Sequence, residues 1–311
     1  MNTPCRKAFT EKLLELAQKD KTIMAVATDS RGSVTLNDFA QLLPEQFVEV
    51  GIAEQNAVGI GSGIASCGKT VFVCSPSPFL SGRSYEQVKI DAVYNQRNVK
   101  LVGVSGGVSY GTLGFSHHSL QDISVLRTLP GLTVLVPCDA VQTKALTCYM
   151  AETEGPMYMR MGRNAVEQVY SENETFTVGK AKQLCDGTDL TLLAMGELVW
   201  PCKEAARLLA REGIYARVLD MFSIKRFDTE AVVNAAKETR RLVTVEEHSI
   251  LGGLGGAVCE VTAQHYPVPV KVIGAPDGHI VAGESPEVFQ YYGWTPQGIT
   301  DKVKDWISKI H

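Results

Sequence analysis

The feature that most constrains the fold is a regular alternation of short apolar runs with longer amphipathic stretches. This alternation is typical of parallel β-strands joined by α-helices. In the first half of the chain, the pattern predicts strands at 23–28, 47–50, 70–75, 99–105, 133–136 and 156–161. It predicts helices at 6–19, 53–67, 85–95 and 141–152.

The alternation stops in a polar stretch and then starts again. We therefore expect a first α/β domain over 1–165, a linker over 166–188 and a second, smaller α/β domain over 189–311. In the second domain the pattern predicts strands at 190–195, 216–220, 242–246 and 270–274. It predicts helices there at 201–212, 229–239 and 255–265.

Charge and apolar content exclude several classes of function. With 30 Lys and Arg against 34 Asp and Glu, the net charge of -4 does not favour binding to nucleic acid or anionic lipid. No stretch offers about 18 uninterrupted apolar residues, and the first residues lack the apolar core of an export signal. The eight cysteines show neither Cys-x-x-Cys nor zinc spacing. We expect a cytoplasmic protein with reduced, mostly buried thiols and a small-molecule substrate.

Two glycine-rich stretches fall short of a nucleotide-binding signature. "GIGSGIAS" lies inside a predicted helix, and "LGGLGGAV" is not followed by an acidic residue one strand later. Gly59, Gly61 and Gly63 indicate close packing of their helix against another element. The second stretch opens a helix, where anion binding and tight packing both remain possible.

Glu54 stands out because "VEVGIAEQNAVGIGSGIAS" places its carboxylate among apolar and small residues, directly after a predicted strand. By itself, this acid could simply favour the first turn of a helix through the helix dipole. However, "GIAEQNAVG", "SPFLSGRSYEQ" and "GGVSYGTLGFSHHSLQD" follow one another in an order that resembles a known family. This family is that of thiamine-diphosphate enzymes of the transketolase and deoxyxylulose-phosphate synthase kind, and the segments correspond to its pyrimidine-binding domain. "TVEEHSILGGLGGAV" is similar to the C-terminal domain of that family.

The resemblance implies a role for Glu54 in activating the cofactor. In the family, a glutamate bonds to a ring nitrogen of the aminopyrimidine, and the shared proton lets the exocyclic imine deprotonate the thiazolium carbon. Such an acid needs a poorly solvated pocket, which the apolar neighbours Ile52, Ala53 and Val58 suit. The remaining cofactor contacts implied by the family match Phe79, Arg83, Tyr85 and Asp29. Gly82 stands where some transketolases have a second aromatic residue. The stacking on the cofactor ring therefore resembles that of the synthase branch of the family.

The resemblance also implies substrate contacts. His117 matches a loop histidine that contacts the sugar and shuttles protons, a role that suits imidazole. His118 follows it where the family usually has Gln. Further positions that match those gripping a sugar phosphate, or that lie close enough to assist, are Arg6, Ser33, Arg163 and Arg160.

Two departures from the family predict an unusual substrate. Leu113 stands where many transketolases have an Asp that recognises a sugar hydroxyl, and Ser105 aligns with a phosphate-binding His. We therefore expect a sugar that is deoxygenated, branched or carries a different anion. Xylulose 5-phosphate and ribose 5-phosphate should be poor substrates.

The chain lacks the Gly-Asp-Gly segment that binds the metal and the diphosphate in this family. The resemblance therefore implies the C-terminal subunit of a split transketolase, whose thiamine diphosphate and Mg²⁺ (or Ca²⁺) site is completed by a separate N-terminal subunit. An α2β2 assembly would follow from the dimeric symmetry of the family.

Two other functions remain open on the sequence. The chain could be the β chain of a 2-oxo acid dehydrogenase, which shares this two-domain layout and would act with a lipoyl partner. It could also be a non-catalytic regulatory α/β subunit, although such a subunit would have no chemical need for Glu54, Phe79 and His117.

Overall fold

A seven-stranded sheet and a five-stranded sheet form the framework of the chain in a computed structural model that describes residues 2–310. The strands of the first half are β1 (Thr3–Pro4), β2 (Ile23–Ala27), β3 (Phe47–Glu49), β4 (Thr70–Pro76), β5 (Val99–Val104), β6 (Thr133–Leu135), β7 (Met157–Met161) and β8 (Ala165–Val166). The strands of the second half are β9 (Lys182–Cys185), β10 (Leu190–Ala194), β11 (Ala216–Asp220), β12 (Ser223–Lys225), β13 (Leu242–Ser249) and β14 (Val270–Ala275).

Helices cover the sheets. In the first half they are α1 (Cys5–Lys19), α2 (Asn37–Leu42), α3 (Glu54–Ala65), α4 (Tyr85–Gln87), α5 (Asp122–Leu126) and α6 (Ala140–Glu152). In the second half they are α7 (Val199–Arg211), α8 (Thr229–Thr239), α9 (Leu254–His265), α10 (Ser285–Tyr292) and α11 (Pro296–Ile307). No helix within residues 2–310 is long and apolar enough to cross a membrane.

The first sheet has the strand order β12-β6-β7-β5-β4-β2-β3, and its pairs from β6 to β3 are all parallel. Every residue of β4 and β5 is buried, as expected for strands covered on both faces. The second sheet has the order β14-β13-β10-β11-β9. The predicted two-domain α/β architecture with a parallel first sheet is therefore confirmed.

The segment 166–188 is more structured than its polar composition predicts. β9 lies within it and pairs antiparallel with β11 at the edge of the second sheet. β12 comes from the second half but pairs antiparallel with β6, so the second half supplies an edge strand to the first sheet.

The sequence analysis also did not predict the helices α2, α5, α10 and α11. The helix predicted over 85–95 is α4 followed by a π-helical segment at Val88–Tyr94.

The glycines of α3 differ in their surroundings. A Cβ on Gly61 would lie 2.6 Å from Cγ2 of Val73, so this glycine does allow α3 to approach β4 closely. A Cβ on Gly59 would meet only Asp91 at an ordinary 3.8 Å, and a Cβ on Gly63 would meet nothing within 4 Å. Close packing is thus confirmed at Gly61 and is wrong for the other two positions.

The second glycine-rich stretch binds a carboxylate of its own chain. The backbone N–H groups of Leu254 and Gly255, at the start of α9, donate to the buried Glu246 at 2.7 and 2.8 Å. A Cβ on Gly253 would lie 2.0 Å from Oε2 of the same carboxylate. Both interpretations of the stretch, anion binding and tight packing, therefore converge on Glu246.

All eight cysteines lie in the described part of the chain, and none of them forms a disulfide. Only four are buried, namely Cys5, Cys74, Cys138 and Cys202, and Cys67 is exposed. The expectation that the thiols are mostly buried is therefore only half right.

Candidate active site

Glu54 is the first residue of α3, directly after the loop that follows β3. The residue is 2% exposed, and its Oε2 accepts a hydrogen bond from Nη1 of Arg83 at 2.6 Å. The helix N-terminus also favours a negative charge at this position. Of the apolar neighbours expected to suit a poorly solvated pocket, Val58 is fully buried, whereas Ile52 is 75% exposed within this chain.

Aromatic contacts extend from Arg83 across the site. The Arg83 guanidinium lies 4.8 Å from the centroid of the Phe79 ring. The His117 ring stands edge-on to Phe79, with a centroid distance of 5.2 Å and an interplanar angle of 78°. The Tyr110 ring also stands edge-on to His117, with a centroid distance of 5.3 Å and an interplanar angle of 76°. The Arg163 guanidinium lies 4.8 Å from the centroid of Tyr110.

These contacts form a continuous row of side chains, which we call the site row and define as Glu54, Arg83, Phe79, His117, Tyr110 and Arg163. Five of the six were predicted as site residues from the sequence. Tyr110 was not singled out, because a loop tyrosine carries no signal of its role until its neighbours in space are known.

Arg6 and Ser33 lie at the Arg163 end of the row. Nη1 of Arg6 donates to the backbone oxygen of Ser33 at 2.8 Å. Burial lowers the pKa of Arg6, the positive charge of Arg163 lowers it further, and Tyr110 raises it. Within residues 2–310, neither Arg6 nor Arg163 forms a salt bridge. The structure therefore brings two guanidinium groups together without a carboxylate to neutralise them.

The two histidines of "SHHS" face different environments. His118 is 3% exposed, and its Nε2–H donates to the backbone oxygen of Gly111 at 3.1 Å, which fixes this loop. Burial lowers the pKa of His118, which favours the neutral ring. His117 instead lies in the site row, with Nδ1 3.0 Å from Oγ of Ser116. The substrate contact predicted for His118 stays a prediction.

Arg160 is a departure from the sequence prediction. It is 3% exposed, its Nε lies 3.4 Å from Oδ2 of Asp122, and its Nη2 donates to the backbone oxygen of Glu247 at 2.7 Å. The Asp122 carboxylate also accepts a hydrogen bond from the hydroxyl of Tyr158 at 2.7 Å. These contacts engage Arg160 between the two domains rather than with Arg6 and Arg163, and so do not support the predicted assistance in anion binding.

The remaining predicted residues make none of the contacts that define the site row. Asp29 is exposed in the left-handed conformation at φ 55°, and its backbone N–H donates to Glu49. The hydroxyl of Tyr85 lies 3.5 Å from Oγ1 of Thr128. Leu113 is 54% exposed. Their predicted roles stay predictions.

Comparison with known families decides the identity of this fold. The family model for the pyrimidine-binding domain of transketolase matches residues 2–168, and the model for the transketolase C-terminal domain matches residues 179–299. The chain belongs to the transketolase family. The family implies thiamine diphosphate as cofactor.

Relatives and one solved structure correspond to nearly the whole chain. The chain is 55% identical to a subunit of apulose-4-phosphate transketolase from Phocaeicola vulgatus, over 98% of both chains. It is 37% identical to a 6-deoxy-6-sulfo-D-fructose transketolase subunit of a Clostridium species, over 94% of this chain and 91% of the relative. A solved structure described as a split gene transketolase, inactive beta4 tetramer, matches with a TM-score of 0.88 and 37% identity over 98% of both chains.

The residues present fit one half of thiamine diphosphate. The buried Glu54 carboxylate and the Phe79 ring suit an aminopyrimidine, which offers ring nitrogens and a flat aromatic face. Within residues 2–310, no group of three or more His, Cys, Asp or Glu side chains could hold a metal ion. The residues of this chain therefore fit the pyrimidine end of the cofactor.

Proposed function

We propose that this chain is the catalytic C-terminal subunit of a thiamine-diphosphate-dependent transketolase. It transfers a two-carbon ketol unit between a ketose and an aldose, in an α2β2 assembly with an N-terminal subunit. That subunit supplies the Gly-Asp-Gly segment and the Mg²⁺ (or Ca²⁺). The site row carries the proposal, because it joins a buried acid, an aromatic ring, an imidazole and a guanidinium in one continuous set of contacts.

The relatives named above support ketol transfer over the alternatives. Their names specify transketolase subunits, whereas a 2-oxo acid dehydrogenase β chain would act with a lipoyl partner. A non-catalytic regulatory subunit would not need a carboxylate that is 2% exposed together with an imidazole placed between two aromatic rings.

Each residue has a physical role in this proposal. When bound, thiamine diphosphate supplies the carbon nucleophile that takes up the two-carbon unit. Glu54 shares a proton with a ring nitrogen of the aminopyrimidine, and Phe79 packs against the ring face. His117 moves protons to and from sugar hydroxyls, since an imidazole is suited to proton transfer near neutral pH. Tyr85 and Asp29 border the cofactor.

The substrate is proposed to be an anionic sugar. Arg6 and Arg163 offer paired donors to a tetrahedral oxyanion, and Ser33 holds Arg6 in place. The two relatives' names specify a sugar phosphate and a sulfo sugar, both anionic. Leu113 accepts no hydrogen bond, so a sugar hydroxyl facing it would cost about 1–3 kcal/mol, which corresponds to about tenfold to hundredfold discrimination.

Reconstitution tests the proposed function. The chain is purified alone and together with an N-terminal subunit that carries Gly-Asp-Gly, and ketol transfer is measured by mass spectrometry with thiamine diphosphate and Mg²⁺. We expect the chain alone to be inactive and the mixture to be active. Calorimetry that finds tight, Mg²⁺-dependent cofactor binding by the chain alone would contradict the shared site.

A donor and acceptor screen on the same complex tests the substrate. Wild type should prefer an unusual anionic sugar, and Leu113→Asp should shift activity toward xylulose 5-phosphate and ribose 5-phosphate by about tenfold. The substrate proposal fails if wild type uses these pentose phosphates as well as any other pair and Leu113→Asp changes nothing.

A further inference from the structure

Tyr110 links the two ends of the site row, yet the sequence pattern gives it no role. Its ring contacts the His117 ring at a centroid distance of 5.3 Å, and the Arg163 guanidinium lies 4.8 Å from its centroid. Because Arg163 has no salt bridge within residues 2–310, the Tyr110 ring is the charge-stabilising contact that the described chain gives this guanidinium.

The backbone holds Tyr110 firmly in this position. The N–H of Gly111 donates to the oxygen of Val108 at 2.8 Å, and the N–H of Val108 donates to Oε1 of Glu247 at 2.7 Å. Gly111 adopts φ +61°, and a Cβ there would lie 3.3 Å from the backbone oxygen of Gly283. The loop before and after Tyr110 is thus anchored to the second domain, which limits how far the ring can shift.

The hydroxyl of Tyr110 forms no hydrogen bond within residues 2–310, so its contacts are made by the ring. An aromatic ring holds a guanidinium plane and an imidazole edge at a fixed separation in a way that an aliphatic side chain does not. The separation between His117 and Arg163 is the separation between the proton-transfer group and the group that binds the anion.

We propose that Tyr110 is a positioning residue that sets substrate specificity by fixing Arg163 relative to His117, so that the anionic end and the reacting end of the sugar are held at a matched distance. This inference rests on the proposed function for its substrate.

The test compares Tyr110→Leu with Tyr110→Phe in the reconstituted complex, with Tyr215→Leu as a control because Tyr215 is an exposed tyrosine of the second domain. The acceptors are glyceraldehyde 3-phosphate and glyceraldehyde, which differ only in the anion. For Tyr110→Leu we expect KM for the phosphorylated acceptor to rise about threefold to tenfold, since cation–π contacts at half-buried sites have about that strength. KM for glyceraldehyde should change less than twofold, and Tyr110→Phe and Tyr215→Leu should resemble wild type.

A second readout does not depend on turnover. Inorganic phosphate is titrated against the chain alone and followed by ³¹P NMR, where Tyr110→Leu should weaken binding and Tyr110→Phe should not. Equal rises in KM for both acceptors, or phosphate binding that is the same in all variants, would overturn the proposal. If the wild-type complex transfers ketol units to no acceptor, the proposed function fails, while the phosphate titration still decides the role of Tyr110.

Discussion

At Glu54 the chain buries a carboxylate whose ion-pair partner reaches solvent. The Glu54 side chain is 3% exposed, whereas that of Arg83 is 46% exposed. Water can therefore stabilise the Arg83 charge if Glu54 is replaced by a neutral residue of the same size. The position of the acid at the start of α3, where Arg83 links it to the Phe79 ring, points to chemistry rather than to stability.

Glu54→Gln is expected to separate these two roles. Gln keeps the size and hydrogen bonding of Glu but supplies no acid proton, so ketol transfer by the reconstituted complex should fall by about 10²- to 10⁴-fold. The free energy of unfolding, measured by urea denaturation, should change by less than about 1 kcal/mol. Deuterium exchange at the reactive ring carbon of thiamine diphosphate, measured by NMR, should slow by a similar factor.

Glu172→Gln is the matched control for this experiment, because Glu172 is an exposed carboxylate in the stretch between the two domains. It should leave both activity and stability unchanged. If Glu54→Gln left the exchange rate at the wild-type value, Glu54 would be only a carboxylate that favours a helix N-terminus.

At the scale of single elements, the packing of α3 on the sheet depends on its close approach to β4 at Gly61. Gly61 faces the buried strand β4, and the nearest atom to an added Cβ would be a methyl group of Val73 at 2.6 Å. Val73 is fully buried, so its side chain has little room to move away. The same contact sets the height of α3 over the sheet and hence the placement of Glu54 at its first turn.

Gly61→Ala and Gly63→Ala should therefore shift stability in opposite directions. Overpacking at Gly61 should lower the free energy of unfolding by about 1–3 kcal/mol. Gly63 is exposed with no atom within 4 Å of an added Cβ, so Ala there should raise it by about 0.5–1 kcal/mol through better helix propensity. Urea denaturation followed by circular dichroism measures the free energy of unfolding of both variants. If Gly61→Ala and Gly63→Ala changed it equally, the close approach of α3 to β4 at Gly61 would be disproved.

The sequence predicts elements well where the signal is local and apolar. β4 and β5 are continuous buried runs, and α3 begins within one residue of its predicted start. α10 and α11 carry start signals, a capping box between Glu284 and Glu287 and a Thr295 cap before Pro296, but their apolar pattern is short. β12 could not be predicted because it has only three residues and pairs with β6, about ninety residues earlier in the chain. The role of Tyr110 could not be predicted because it depends on contacts with residues that are distant in sequence.

At the scale of the whole molecule, a buried cluster of charges joins the two domains. Arg160 lies among Asp122, Glu197 and Glu247, and a Cβ on Gly162 would collide with the Glu197 carboxylate. Burial raises the pKa of Glu197 to about 8, and the neighbouring Glu247 acts in the same direction. Burial also raises the pKa of Glu247, which Arg160 partly offsets.

Because the pKa values of Glu197 and Glu247 are raised, their contribution to the free energy of unfolding should fall as the pH rises. A carboxyl group whose pKa is higher in the folded state than in the unfolded state binds more protons when the chain is folded. Its contribution to the free energy of unfolding is therefore complete below the unfolded pKa and is lost as the pH rises through the folded pKa. Between pH 5 and pH 8 the stabilisation contributed by Glu197 and Glu247 should therefore decline, by up to about 1.4 kcal/mol per pH unit for each group, whereas the buried His248, whose pKa burial lowers to about 4, opposes this decline below about pH 6.5. Glu197→Gln, which cannot ionise, should flatten this decline in thermal denaturation of the chain.

Glu172→Gln again serves as the control and should keep the wild-type slope, because this exposed carboxylate lies in water. A slope that is the same in wild type and in Glu197→Gln would mean that other groups control the pH dependence.

The strand that the second half contributes to the first sheet limits how the two halves of the chain can be separated. β12 belongs to the second half in sequence but closes the edge of the first sheet at β6. Residues 1–165 separated from the second half would have β6 as an uncovered edge strand, with its backbone groups open to other chains. When the two halves of this chain are separated, Ser223–Lys225 must therefore stay with the first sheet that they complete, although they lie in the second half of the sequence.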